Sequence, residues 1–352
     1  MARYLIVGGS GFLGAHLHAA LRATRNLCRI LDPAPPVLPV QALSATPVPP
    51  ERIDWIQGSA TDLATVRNAV EGCDGIFHLA AGTPPVEPTA GLAGVAAIAG
   101  ASGIPLVYAS SAAVYGAAWE KLTAAARGGP LRFRIAETQP LTPLSPEARL
   151  LCDAERAVRI IQARQGVPML GLRFFSVYGP HPTPNAANAG VVAVFLERLR
   201  RGLPLDVFGE GSQTRDFVYI DDAIRMLLAA MTVCQKPFGQ SIPGGVLNVC
   251  RGQEVSLLTL AAMLGELLAC TPLLRLRHSC PFDPLRQVGD PGQAAAILGV
   301  QPRIRLRTGL ARTLKAGTAP FRPVFPVPVP ALARTAPMTD SQPQAGYQPQ
   351  AF

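Results

Sequence analysis

Apolar residues open the chain in short, regularly spaced runs. Arg3–Val7 predicts a strand, and Phe12–Arg22 has helical spacing behind a glycine turn. Cys28–Leu31 predicts a second strand that ends in Asp32. Further strands are expected at Asp54–Gln57, Gly75–Leu79 and Leu106–Ala109, with a helix over Asp62–Glu71 between them. A helix over Ala154–Gln165 then leads into a strand at Met169–Phe174. Strands alternating with helices at this spacing specify an α/β fold, a Rossmann-type doubly wound parallel sheet covered on both faces.

After Gly179 the pattern changes to longer loops around a helix at Val191–Arg201, a segment at Phe217–Met231 and a last region reaching Lys315. This predicts a dinucleotide-binding domain over 1–178, with 214–250 packing back onto it, and a smaller substrate domain over 179–316. The 35 prolines crowd into Pro33–Pro50 and the stretch after Ala319. Residues 317–352 lack core periodicity and are expected to form a disordered, Pro-rich tail.

Composition narrows the setting. Hydrophobic content of 49% against 16% charged residues describes a globular protein. The chain enters a strand at once after Met1-Ala2-Arg3, and its longest weakly polar run, Ala90–Val107, is broken by Ser102, Gly103 and Pro105. Neither a secretory leader nor a membrane span is expected, which favours the cytoplasm. The seven cysteines show no CxxC pair and no zinc-ligand spacing, so reduced thiols and no metal are expected. The net charge of +9 gathers at Arg198, Arg200 and Arg201 and again at Arg303, Arg305 and Arg307. Without interleaved aromatics or a known motif, these clusters suit solvated faces and an anionic small ligand rather than nucleic acid.

The sharpest local signal is Gly8-Gly9-Ser10-Gly11-Phe12-Leu13-Gly14, placed immediately after a strand and opening a helix. Gly8 and Gly11 allow a tight turn in which backbone N–H groups approach a pyrophosphate at the helix N-terminus, and Gly14 permits close helix-to-strand packing. Asp32 closes the second strand 18 residues beyond Gly14, where a carboxylate can accept the ribose hydroxyls of NAD. The same charge would repel a 2′-phosphate, so NAD is favoured over NADP.

Longer motifs carry a resemblance. The glycine loop, Phe77-His78-Leu79-Ala80-Ala81, Val107–Gly116, Leu172–Pro180, Gly209–Asp222 and Val246–Val249 together resemble the extended short-chain dehydrogenase/reductases. The branch they resemble is the NAD-dependent epimerase/dehydratase family, of which UDP-glucose 4-epimerase is typical. The resemblance implies NAD held by Gly8, Gly11, Phe12, Leu13, Gly14, Asp32, Leu79, Ala80 and Ala81. It implies a nucleotide sugar, a UDP-sugar first, contacted by Ser176 and gripped by Arg215. The implied reaction is epimerisation at C4 through a transient keto-sugar. Ser111 matches the family's hydroxyl residue, while Tyr115 belongs to a structural signature and is not the catalytic tyrosine.

The departures concern catalysis. The family's catalytic tyrosine and a lysine four residues later lie in a segment that here reads Glu137 to Leu151, with Glu147 in the tyrosine slot and Leu151 in the lysine slot. A free tyrosine is a poor base at neutral pH, so the lysine's charge matters. Glu147 is either a substitute carboxylate base or a solvated first-turn helix residue. The chain is therefore an epimerase with altered catalysis or a silent relative that binds or regulates. The family's Gly-Asp after the third strand reads Gly58-Ser59, its second phosphate arginine falls at Cys280, and Gly82–Gly103 is short and lacks the family's Asn-Val-x-Gly-Thr helix. A homodimer is possible, but that shortened segment argues against it.

Overall fold

The computed structural model describes residues 1–36, 53–80, 88–118, 133–180, 190–236 and 245–316. Ala81 and the 317–352 tail lie outside the described residues.

The first half is strand–helix alternation. In order come β1 (Arg3–Val7), α1 (Phe12–Ala23), β2 (Leu27–Asp32), β3 (Asp54–Gln57), α2 (Leu63–Val70), β4 (Gly75–His78), α3 (Pro88–Ala101), β5 (Leu106–Ser111), α4 (Pro146–Gln165) and β6 (Met169–Phe174). The second half adds β7 (Ser176–Tyr178), α5 (Val191–Arg200), β8 (Leu205–Phe208), β9 (Thr214–Arg215), β10 (Phe217–Tyr219), α6 (Ile220–Cys234) and β11 (Val246–Val249). It ends with β12 (Val255–Ser256), α7 (Leu257–Leu268), β13 (Leu274–Arg277), β14 (Arg286–Gln287), α8 (Gly292–Leu298) and α9 (Leu306–Ala316).

Seven parallel strands form one sheet in the order β11-β6-β5-β4-β1-β2-β3. Its reversal between β1 and β4 is the switch point at which α/β sheets bind dinucleotides. Alternation along the strands builds two cores. Ile6, Phe77, Val107 and Leu170 face a cluster with Leu17 and Leu21 of α1 and Leu227 and Met231 of α6. Leu5, Val7, Ile76 and Leu106 face Val66 of α2, Val95 of α3 and Val158 of α4. Both faces are therefore closed to water, as a parallel sheet requires.

Two expectations need correction. A 14-residue helix, α3, forms where the shortened segment lacks the family's helix motif. Its glycines disfavour a helix intrinsically, but a Cβ on Gly100 would lie 1.5 Å from Gln165 Oε1 and one on Gly94 2.4 Å from a Leu63 methyl. Close packing against α4 and α2 is what these small residues permit, and it overrides propensity. The helix expected from Ala154 also starts earlier, at Pro146, because the Ser145 hydroxyl accepts from the Ala148 N–H at 3.1 Å and proline fits the first turn.

The remaining strands are short. β7 pairs with β10, β8 with β13, and β9 lies between β12 and β14. On the β8–β13 ribbon, Arg198, Arg275 and Arg277 all converge on Asp206, so part of the arginine excess is internally paired. All seven cysteines are free thiols. Among the described residues, no helix is long and apolar enough to cross a membrane.

Candidate functional site

The glycine loop turns at the C-terminal end of β1. Gly8 has φ +83°, and a Cβ there would meet the Ala80 backbone at 2.5 Å, so the loop lies directly on the strand end carrying Leu79 and Ala80. A Cβ on Gly14 would fall 2.3 Å from the Gly8 carbonyl oxygen. Gly11 differs: its nearest neighbour to a Cβ is the Gly8 oxygen at 3.4 Å, so the fold itself would accept a side chain. Gly11 is the N-cap of α1 and supplies no capping side chain. The first N–H groups of that helix, from Phe12 onward, are thus left for another acceptor, with the positive end of the helix dipole behind them.

Asp32 stands beside this loop. One carboxylate oxygen accepts from the Ser10 N–H at 3.0 Å and the other from Ala34 N–H at 2.9 Å, while the Ser10 hydroxyl donates to the Ala34 carbonyl at 2.6 Å. The acid is fixed at the strand end with lone pairs remaining for hydroxyl donors. Ser10 was not singled out from sequence, although its place between Gly9 and Gly11 was the available signal. One turn into the same helix, His16 Nε2 lies 3.1 Å from the Pro180 carbonyl and ties α1 to the segment after β7. The arrangement fits a dinucleotide pyrophosphate at α1 and a diol at Asp32.

Ser111 ends β5, and its Oγ accepts from the Ala113 N–H at 3.1 Å to cap the short helical turn Ala112–Tyr115. Accepting that bond leaves the hydroxyl proton available to a second partner. Glu147 is exposed in the first turn of α4. Leu151, one turn on, packs against an apolar cluster of Ala112, Val114, Tyr115, Ile135, Phe175 and Cys250.

Behind these residues runs a buried polar network that sequence reasoning largely missed. Arg173 and Glu155, both 2% exposed, form a two-pronged pair at 2.9 and 2.6 Å. Ser110 donates to Glu155 at 2.6 Å, Arg173 donates to the Tyr115 hydroxyl at 2.8 Å, and Tyr115 donates to Asn248 Oδ1 at 2.7 Å. Glu137 accepts the Asn248 N–H at 2.7 Å. Burial pushes the Tyr115 phenol well above its ordinary range, with the Arg173 charge pulling the other way. That phenol is a structural donor and not a base. The signal was a lone arginine in Met-Leu-Gly-Leu-Arg-Phe and a lone asparagine in Val-Leu-Asn-Val, since a polar residue buried in a strand needs partners.

The predicted substrate residues lie on β7 and β9. The Ser176 Oγ is buried with no hydrogen-bond partner among the described residues. Arg215 on β9 is also buried, and its guanidinium pairs with Asp283 and donates to the carbonyls of Pro284 at 2.9 Å and Thr214 at 2.6 Å. Next to it, Asp216 accepts the N–H groups of Arg251 at 2.8 Å and Gly252 at 2.7 Å. Burial pushes the Asp216 carboxyl up to about 7 against the pull of those donors. Ser176 is tied to this group through its N–H, which donates to the Asp216 carbonyl at 3.0 Å.

Known proteins share this fold. The chain is 28% identical over 333 residues to the uncharacterized UDP-glucose epimerase YtcB of Bacillus subtilis, a match covering 89% of this chain and 96% of that one. Among solved structures it is similar to MoeE5 in complex with UDP-glucuronic acid and NAD, with 27% identity, a TM-score of 0.73 and coverage of 89% and 98%. It is also similar to the Thermus thermophilus UDP-glucose 4-epimerase in complex with NAD, with 25% identity, a TM-score of 0.73 and coverage of 90% and 100%. The model of the NAD dependent epimerase/dehydratase family matches residues 4–250, from β1 through β11, taking in the glycine loop, Ser111, Glu147 and Arg215. The chain belongs to that family.

Proposed function

We propose that this protein binds NAD and a nucleotide sugar, with a UDP-sugar first, and that it lacks the standard proton-transfer couple of C4 epimerisation. NAD is the family's cofactor, and its role there is to take a hydride from a sugar carbon and return it. In this chain Gly8, Gly11, Phe12, Leu13 and Gly14 would hold the pyrophosphate, and Asp32 would accept the ribose hydroxyls. Leu79, Ala80 and Ala81 would line the cofactor, while Ser176 and Arg215 would contact the nucleotide sugar. Ser111 would orient the reacting sugar hydroxyl by hydrogen bonding.

The observation that carries this reading is the fate of Leu151. At the position where the resemblance expects a lysine, this side chain packs into the apolar cluster around Tyr115 and Phe175. It can neither contact a ribose by hydrogen bond nor lower the pKa of a neighbouring base. Glu147 is exposed one turn earlier. A second reading, a working epimerase with Glu147 as base, draws on that exposure and on the spare proton of Ser111.

Interconversion of UDP-sugar epimers separates the two. The unmodified protein should show no turnover, and the double substitution Glu147→Tyr with Leu151→Lys should produce a trace of NAD-dependent C4 epimerisation, each single change doing little. Turnover by the unmodified protein that disappears in Glu147→Gln would favour the second reading. Turnover that survives Glu147→Gln would contradict both.

A further inference from the structure

Exposed apolar side chains gather on one short strand. Leu273, just before β13, and Leu276, within it, are 62% and 61% exposed, and among the described large apolar residues only Met1 exposes more. β13 pairs with β8 and with no other strand among the described residues. The Leu205 N–H donates to the Leu273 carbonyl at 2.7 Å, and the Gly209 N–H donates to the Arg277 carbonyl at 2.9 Å. Backbone groups alternate in direction along a strand, so the N–H and C=O of Leu274 and Leu276 point away from β8. Side chains alternate as well. Leu274 packs onto the main core and Leu276 lies on the same face, while Arg275 and Arg277 occupy the other. Both arginines are 46% exposed and share Asp206 with Arg198, so three cations meet one carboxylate.

We infer that the open edge of β13 is a docking strand for an extended, acidic segment of a partner protein, which adds beside it as a further strand. The outward backbone groups of Leu274 and Leu276 supply the main-chain hydrogen bonds of such an addition. The surplus positive charge on the arginine face selects Asp or Glu at alternate positions, and Leu276 selects apolar residues at the positions between. A second copy of this chain fits badly. Antiparallel pairing of two β13 strands, centred on Leu276 or on Arg275, sets arginine opposite arginine, and like charges directly opposite destabilise a pair. The arginines that turn away a like strand are those that admit an acidic one. The surface lies apart from the glycine loop, and the inference does not depend on which cofactor or sugar the protein takes.

Fluorescence anisotropy of a labelled synthetic peptide, Glu-Val-Glu-Val-Glu-Val-Glu, titrated with the full chain, tests this. The peptide should bind, and one of the same composition with its four glutamates grouped ahead of the valines should bind about tenfold more weakly. Leu276→Pro removes an outward N–H without touching a bond to β8, so it should weaken binding about tenfold and leave the melting temperature nearly unchanged. Arg277→Glu should release the glutamate peptide and bind its lysine counterpart, Lys-Val-Lys-Val-Lys-Val-Lys. Hydrogen exchange over 273–278 should slow when the glutamate peptide is present. If Leu276→Pro unfolds early, the charge swap at Arg277 and the exchange data still decide. No binding by the unmodified protein overturns the inference, as does equal binding of the grouped peptide. Binding that survives Arg277→Glu undiminished, or that leaves exchange over 273–278 unaltered, overturns it too. A concentration-dependent dimer in sedimentation that Leu276→Pro abolishes would replace the acidic partner with a second copy and overturn it in that way.

Discussion

Two helices begin at the same edge of the sheet, α1 after β1 and α4 beside β5, and their first turns are built in opposite ways. α1 starts at Gly11, which offers its donors no side chain. α4 starts at Ser145, whose hydroxyl closes the first turn, with Pro146 next and Glu147 added to the positive end. The first start is incomplete without an outside anion, and the second is complete in itself. Under the proposed function, ligand binding belongs to the helix that the protein leaves unfinished. The α4 start, by contrast, is closed by ordinary capping, with Leu151 one turn on packed among apolar residues.

The largest effect that could break this contrast is at the first helix. Gly14→Ala places a methyl 2.3 Å from the Gly8 oxygen, so both the melting temperature and NAD affinity should fall, the latter by more than about a hundredfold. Gly11→Ser should separate the two properties. Its Cβ has room at 3.4 Å and its hydroxyl can cap α1, so the fold should keep its stability while calorimetry shows NAD binding lost. Retained NAD affinity in Gly11→Ser would show that the α1 start is not the pyrophosphate site.

Acid should act next, and on the same side. His18 of α1 and His78 at the end of β4 are buried, and His18 Nδ1 and His78 Nε2 have no partner among the described residues. Burial lowers each from 6.5 to about 4, with the charge of Arg22 adding to the effect at His18. Because both folded-state values lie below the unfolded one, the stability they lend is whole above pH 6.5 and drains away as pH falls through about 4. Each is worth up to about 3 kcal/mol across that window. Asp216, raised to about 7, works in the opposite sense, losing its contribution as pH rises. The clean measurement is therefore a difference. His78→Phe and His18→Leu should each flatten the fall in melting temperature between pH 7 and pH 4, and an unchanged slope would assign the acid limb elsewhere.

The smallest effect sharpens the other half. Ser145→Ala removes a cap worth about 1 kcal/mol, so the melting temperature should drop by a few degrees. NAD affinity should not change. A parallel loss of NAD binding would mean that the α4 start is coupled to the cofactor after all.

How much of this was readable in advance follows the range of each interaction. Strand alternation and the glycine spacing are local, and β1, α1 and the Asp32 strand end could be placed from a few neighbouring residues. The Ser145-Pro146-Glu147 start of α4 is equally local, a capping serine followed by a proline in the first turn. α3 is not legible locally because its glycines answer to distant partners, Leu63 and Gln165, which no short window of sequence contains. The Tyr115–Arg173–Glu155 network and the Arg215–Asp283 pair join residues between 18 and 68 positions apart, so only the folded chain brings them together.

The last strand of the sheet has a consequence for how the protein is made. β11 is supplied by residues 246–249, more than seventy positions after β6, the strand it covers. Until the ribosome has released that segment, β6 is an edge with unpaired backbone groups, and α6 is not yet there to shield the apolar side of β5 and β6. A nascent chain of some 180 residues holds every part of the glycine loop site but presents a sticky, half-covered sheet. Its exposure to chaperones and to aggregation should be greatest in that interval. The dinucleotide half cannot mature ahead of the rest, and its safe completion depends on synthesis running through the small strands that follow.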